Sequence, residues 1–194
     1  YFDSFEHYYL LYQRRNLDLW AEYADGKVTK EELNRQRYLY PLEAVGAGDS
    51  TLAKAYERDA LAMIPTKSKL MPHAREVLEY LSGKYNLYIL SNGFKELQSH
   101  KMRSSGIDEY FKKVVLSDDI GILKPWPEIF HFALSTTQSE LNNSLMIGDS
   151  WENDIVGAAG VGMHQVFYNL SGRTDLPFAP TYQITDLKDL FNFL

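Results

Sequence analysis

The chain contains no cysteine. Disulfides, thiolate metal ligands and a cysteine nucleophile are excluded together, and a reducing compartment such as the cytoplasm is the expected setting. A basic block is also missing. Its 20 lysines and arginines stand against 26 acidic residues, a net charge of -6, which argues against a duplex nucleic-acid partner. No apolar run approaches the roughly 20 residues of a membrane helix, so no membrane partner is expected. No signal peptide, internal repeat or low-complexity tract is visible. The first residue is Tyr1 and not an initiator methionine, which leaves room for an upstream segment.

What is present is a chain of 194 residues, 45% hydrophobic and 14% aromatic, long enough to bury a substantial core in one large domain or two small ones. Its grammar changes part-way. From Tyr1 to about Ile64, apolar residues at Phe2, Phe5, Tyr9, Tyr12, Leu17 and Trp20 recur at a three-to-four spacing, as in a helical bundle. Asp25-Gly26 marks a turn, Thr29 to Glu32 forms a capping box, and Asp49-Ser50 opens a third helix running toward Met63. Pro65 interrupts the pattern. From Pro72 onward, helices alternate with short β-rich runs, the signature of a parallel α/β sheet. Helices are expected at about 72–82, 94–104, 127–136 and 151–160, with a last one opening at Asp186. Strands are expected at 86–91, 114–117, 144–148, 163–167 and 182–184.

The stretch Leu145 to Asp154 carries the most chemistry. An apolar strand empties into Gly148 and Asp149, with Asp154 five residues further on. Strand ends of this kind gather ligands in open parallel sheets. With Ser150 capping a helix from Trp151, both carboxylates are expected to face one crevice and suit a hard cation such as Mg²⁺. An Asp-Ser helix cap with a surface aspartate one turn later explains the same letters, so other residues must decide.

Two of them do. Tyr88 to Gly93 ends a strand in Ser91, Asn92 and a glycine turn. The Ser91 hydroxyl and the amides beyond it suit phosphate at the start of the next helix, although Ser91 also reads as a plain cap. Lys124 lies between the Gly121 turn and Pro125, bracketing that aims its ammonium where a solvated lysine needs none. In the functional reading it neutralises phosphate oxygens and restrains the carboxylates. His73, His100, His131 and His164 form no metal-ligand spacing and read as structural or surface residues. Trp126 is expected to pack under its loop, and Trp151 either walls the metal site or staples its helix.

The order Ser91, Lys124, Asp149, Asp154 resembles the signature of the haloacid dehalogenase-like (HAD) hydrolases. So do Lys124-Pro125-Trp126-Pro127-Glu128-Ile129-Phe130 and Gly157-Ala158-Ala159-Gly160. The resemblance covers nearly everything from Pro72 to Tyr168. It implies an α/β fold with a Rossmann-like parallel sheet core at 67–194 and an α-helical cap domain at 1–66, in a branch that looks like the pyrimidine nucleotidases. Members attack with an aspartate on an Asp-x-Asp motif that ends the first core strand, upstream of the cap. No such motif is present, and Asp118-Asp119 and Asp25-Gly26 read as loop residues. A sheet without its central strand would leave buried backbone groups unpaired, so the natural protein is expected to begin earlier, with that strand and its nucleophile.

The resemblance thus implies a Mg²⁺-dependent phosphomonoesterase working through an aspartyl-phosphate on a small phosphorylated metabolite such as a nucleotide. Asp149 and Asp154 are expected at the metal, and Ser91, Asn92 and Lys124 at the phosphoryl group. The alternatives are a phosphosugar mutase, a metal-independent haloacid dehalogenase, and a catalytically incomplete fragment that binds Mg²⁺ and phosphate or serves protein interaction.

Overall fold

Thr29 starts its helix by a reciprocal cap. Its hydroxyl accepts from the Glu32 amide at 3.1 Å, and the Glu32 carboxylate accepts from the Thr29 amide at 2.8 Å. The computed structural model describes all residues from Tyr1 to Leu194 in two compact units, Tyr1–Thr66 and Lys67–Leu194.

The first unit is helical: α1 (Phe5–Ala24), α2 (Lys30–Ala44) and α3 (Ser50–Met63). Ser4 caps α1 by accepting from the His7 amide, and Asp49 caps α3 by accepting from the Thr51 amide at 2.7 Å. Helix α2 packs against both of its neighbours. Leu19, Leu33 and Leu42 are completely buried, and Leu39, Leu42 and Ala53 form a cluster covered by Phe2, Leu52 and Tyr56. Each such leucine contributes about 1.5–3 kcal/mol by leaving water. Pro41 lies inside α2, a break that the sequence pattern alone did not anticipate within this helix. It is tolerated three residues before the helix ends, where one lost backbone bond is outweighed by burying the ring.

The second unit alternates α4 (Ala74–Ser82), β1 (Tyr88–Ser91), α5 (Lys95–Ser105), β2 (Lys113–Leu116), α6 (Pro127–Thr137) and β3 (Leu145–Gly148). It closes with α7 (Gly157–Gly160), β4 (His164–Tyr168) and β5 (Tyr182–Ile184). Apart from the helix expected at 151–160, these elements lie within a few residues of the expected ones. Helix α4 begins at Ala74 because His73 adopts a left-handed backbone conformation that no helix can include. The expected closing helix is a tight 3₁₀ segment, Leu187–Asn192, capped by Asp186.

All strand pairs are parallel. β1 pairs with β2, and β3 pairs with β4, which pairs with β5, giving two separate sheets. Alternation along β3 decides the packing. Leu145 and Ile147 face a cluster of Val77, Leu81, Val166, Ile184 and Leu190, whereas Met146 faces Ile129, Phe130, Ala158 and Met163. Leu90 of β1 packs on the second cluster too, so helices cover both sheet faces.

Candidate active site

The carboxyl ends of β1 and β3 supply the site. After β3, the residues Trp151–Val156 form a wide π-helical turn instead of the expected regular helix, and only then does α7 begin. Ser150 caps this turn, its hydroxyl accepting from the Asn153 amide at 3.2 Å. The Asp154 side chain is thereby folded back toward the strand: its Oδ2 accepts from the Ser150 amide at 3.0 Å. A Cβ at position 148 would collide with the Asp154 carboxylate, which explains the glycine there without appeal to its backbone freedom.

Asp154 is buried, and its Oδ1 takes the Lys124 ammonium at 2.6 Å. The same ammonium donates to the Leu90 carbonyl of β1 at 2.8 Å. Lys124 therefore links the end of β1 to the turn after β3, with only 8% of the residue exposed. A charge so deeply placed is tolerable only because it is paired and hydrogen-bonded.

Asn92 positions it. The Asn92 amide nitrogen donates to the Lys124 carbonyl at 2.9 Å, and the Lys124 backbone N–H donates to Asn92 Oδ1 at 2.7 Å. The sequence suggested Asn92 as a source of a backbone amide for phosphate; the structure makes its side chain a two-way clamp on the lysine loop. Pro125 follows through a cis peptide bond. Gly157 lies where any side chain would strike the Phe130 ring, so the glycine-rich end of this motif is a packing requirement.

Ser91 does not cap the helix that follows it. Helix α5 is preceded instead by Phe94. The Ser91 oxygen accepts from the Gly93 amide at 3.0 Å and from Gln98 Nε2 at 2.7 Å. Two donated bonds fill its acceptor capacity and leave its hydroxyl hydrogen free to donate. Of the amides beyond Ser91, that of Gly93 donates to Ser91 and that of Lys95 donates to Asp118 Oδ2 at 3.1 Å. Asp118 and Asp119 occupy a 3₁₀ turn, where Asp119 accepts from the Leu116 amide at 2.9 Å. Gln98 was missed from the sequence, and its one trace is Gly93, whose missing side chain makes room for it.

Asp149, at the tip of β3, is exposed. Asp154 turns inward to Lys124, so the two carboxylates do not present themselves alike. No group of three or more histidines, cysteines, aspartates or glutamates is close enough to hold a metal ion. Oxygen donors of this kind fit a hard cation, with Asp149 as the carboxylate open to it. Trp126, expected under the loop, is instead half exposed at 49%, because it precedes α6 rather than packing within it. Trp151 is buried at 3%, edge-on to Phe167 at 5.2 Å, so it staples the π-helical turn to β4.

Residues 2–162 match the model of the haloacid dehalogenase-like hydrolases. The chain belongs to this family. The hydrolase is 30% identical over 185 residues to pyrimidine 5'-nucleotidase YjjG of Escherichia coli, a match spanning 94% of this chain and 80% of the relative. It is 29% identical over 187 residues to the HAD-hydrolase YfnB of Bacillus subtilis, spanning 94% and 78%. The magnesium-bound crystal structure of YfnB superposes on the hydrolase with a TM-score of 0.87 at 28% identity, covering 96% of this chain and 82% of that one. A crystal structure of a dehalogenase gives a TM-score of 0.80 at 26% identity, covering 97% and 84%. No helix of the hydrolase is long and apolar enough to cross a membrane.

Proposed function

We propose that the hydrolase is a Mg²⁺-dependent phosphomonoesterase of the cytoplasm, acting on a small phosphorylated metabolite of the nucleoside 5'-monophosphate class. The observation that carries this reading is the Lys124 ammonium, held by Leu90 and Asp154 at the strand ends that also bear Ser91. A buried, oriented cation and a hydroxyl free to donate, both held at the end of β1, are suited to the charge of a transferring phosphoryl group. The nucleotide class is supported by the likeness to YjjG.

In this reading an aspartate on a strand upstream of Tyr1 attacks phosphorus. A P–O bond forms to the carboxylate as the ester P–O bond breaks, the leaving alkoxide takes a proton from water, and water then attacks the aspartyl-phosphate, breaking its bond to the carboxylate to release phosphate. Support for a further strand comes from β1 and β3, each of which pairs on one side only. Within the chain itself, Ser91 donates its hydroxyl to a phosphoryl oxygen, and Lys124 neutralises another. Asn92 keeps the lysine loop in place. Asp149 would hold Mg²⁺, which would supply charge neutralisation to phosphoryl oxygens, and Asp154 fixes the position of Lys124. The helical unit, residues 1–66, acts as the cap.

The test is hydrolysis of p-nitrophenyl phosphate and a panel of nucleoside monophosphates, with Mg²⁺ or EDTA, by this chain and by a version extended upstream. Activity only in the extended form with Mg²⁺ is the expected result. Metal-dependent activity of the 194-residue chain would overturn the upstream nucleophile. Inactivity of both forms would favour a binding or interaction role, metal-independent release of halide from 2-haloacids would favour a dehalogenase, and isomeric sugar phosphates as products a mutase.

A further inference from the structure

The Ser91 oxygen is held from two sides. Gln98 Nε2 donates to it at 2.7 Å and the Gly93 amide at 3.0 Å, so in both bonds the serine is the acceptor. A hydroxyl oxygen has two lone pairs. With both occupied and a third corner bonded to carbon, its hydrogen is confined to the one direction that is left.

Gln98 reaches Ser91 because of where α5 begins. It lies in the first turn, its backbone N–H bonded to the Phe94 carbonyl at 3.0 Å, and helical side chains lean toward the helix N-terminus. Its carboxamide therefore lies back over the loop between β1 and α5, in the space that a side chain at position 93 would need. A Cβ on Gly93 would strike the Gln98 carboxamide. Gly93 is not among the glycines with a left-handed backbone, so conformation does not call for glycine here, and room for Gln98 does.

Stability gives little reason for the arrangement. Ordering a long glutamine side chain costs rotamer freedom that one bond to a half-buried hydroxyl does little more than offset. What it secures is direction. A serine hydroxyl with a vacant lone pair turns among staggered positions, whereas one filled from both sides presents its hydrogen to an anion without reorganisation.

We propose that Gln98 is a positioning residue for phosphoryl transfer, acting through Ser91 by fixing its hydroxyl as a donor, and that Gly93 is glycine in order to admit it. The identity of the anion that Ser91 meets rests on the phosphomonoesterase reading. Inorganic phosphate, titrated calorimetrically into this chain and into the version extended upstream, reads the donor without turnover. The same variants are followed by kcat/KM on p-nitrophenyl phosphate. Gln98→Met keeps the length and loses the donor, and Gly93→Ala keeps Gln98 but displaces its carboxamide. Each should lower phosphate affinity and kcat/KM about tenfold, the scale of a misdirected bond to a charged oxygen. In a Ser91→Ala background both should change them by less than about twofold, since no hydroxyl is left to aim. Gly93→Ala carries the cycle if a thermal melt shows that Gln98→Met does not fold.

An equal loss in both backgrounds would mark a merely structural role and overturn the proposal, as would variants that match the parent protein in a Ser91-containing chain. Either result in a protein that hydrolyses phosphomonoesters leaves the phosphatase reading intact. Phosphate binding that follows the cycle in a protein hydrolysing no phosphomonoester would sink that reading and leave the role of Gln98 standing. A protein that neither binds phosphate nor hydrolyses its esters would overturn both.

Discussion

Lys124 Nζ lies 2.6 Å from Asp154 Oδ1, and both side chains are at least nine-tenths buried. They come from segments thirty residues apart in the chain, one a loop before α6 and the other a π-helical turn after β3. Removing one partner leaves the other charge buried and alone. Lys124→Met is expected to cost about 3–5 kcal/mol, and so is Asp154→Leu, whereas the double variant should cost clearly less than their sum. Urea unfolding of the four proteins in this cycle checks it, and simple additivity would show that the pair is not coupled.

Gly148→Ala should destabilise even though the backbone at this position is open to alanine, since the new methyl must displace the Asp154 carboxylate from its bonds to Ser150 and Lys124. A loss of about 1–3 kcal/mol is expected, as for overpacking in a tight interior. Its chemical denaturation midpoint should recover in part in Gly148→Ala/Asp154→Ala, where the colliding carboxylate is gone.

Asn92→Ala deletes both bonds that clamp the Lys124 backbone. About 1–3 kcal/mol of stability should go with them. Hydrogen exchange would show the change locally, at the Lys124 amide, ahead of any change in α4 or β4. Uniform loss of protection across the second unit would argue that the clamp is not a local device.

High pH probes the tyrosine wall of the helical unit. Burial pushes both Tyr8 and Tyr38 up to about 12, with neighbouring tyrosines adding to the shift and Arg37 opposing it. The unfolded chain loses these protons near pH 10, the folded one near 12, so between them the native state holds more protons and stability falls as pH rises. Below pH 10 neither residue contributes to the pH dependence. Each tyrosine accounts for at most about 1.4 kcal/mol per pH unit in that window. Melting temperatures from pH 9 to 12 should drop less steeply in Tyr8→Phe and Tyr38→Phe, and an unchanged slope would mean that these two tyrosines do not cause the alkaline loss of stability.

The α/β alternation, the three leading helices and most strand ends were legible because they rest on local rules: apolar period, caps such as Thr29 and Asp49, and Gly or Pro punctuation. Membership of the hydrolase family was legible for the same reason, since Ser91, Lys124 and the Gly148-Asp149 pair keep their order and surroundings along the chain. What the letters could not reveal was which polar atom meets which. That Ser91 accepts from Gln98, that the Asn92 side chain grips Lys124, and that Trp126, expected under its loop, is half exposed are all unmarked in the letters. The π-helical turn that swings Asp154 inward beneath Gly148 has no local marker either. Those choices depend on desolvation and on bonds between segments far apart in sequence, and a side chain finds its partner only after the strands have packed.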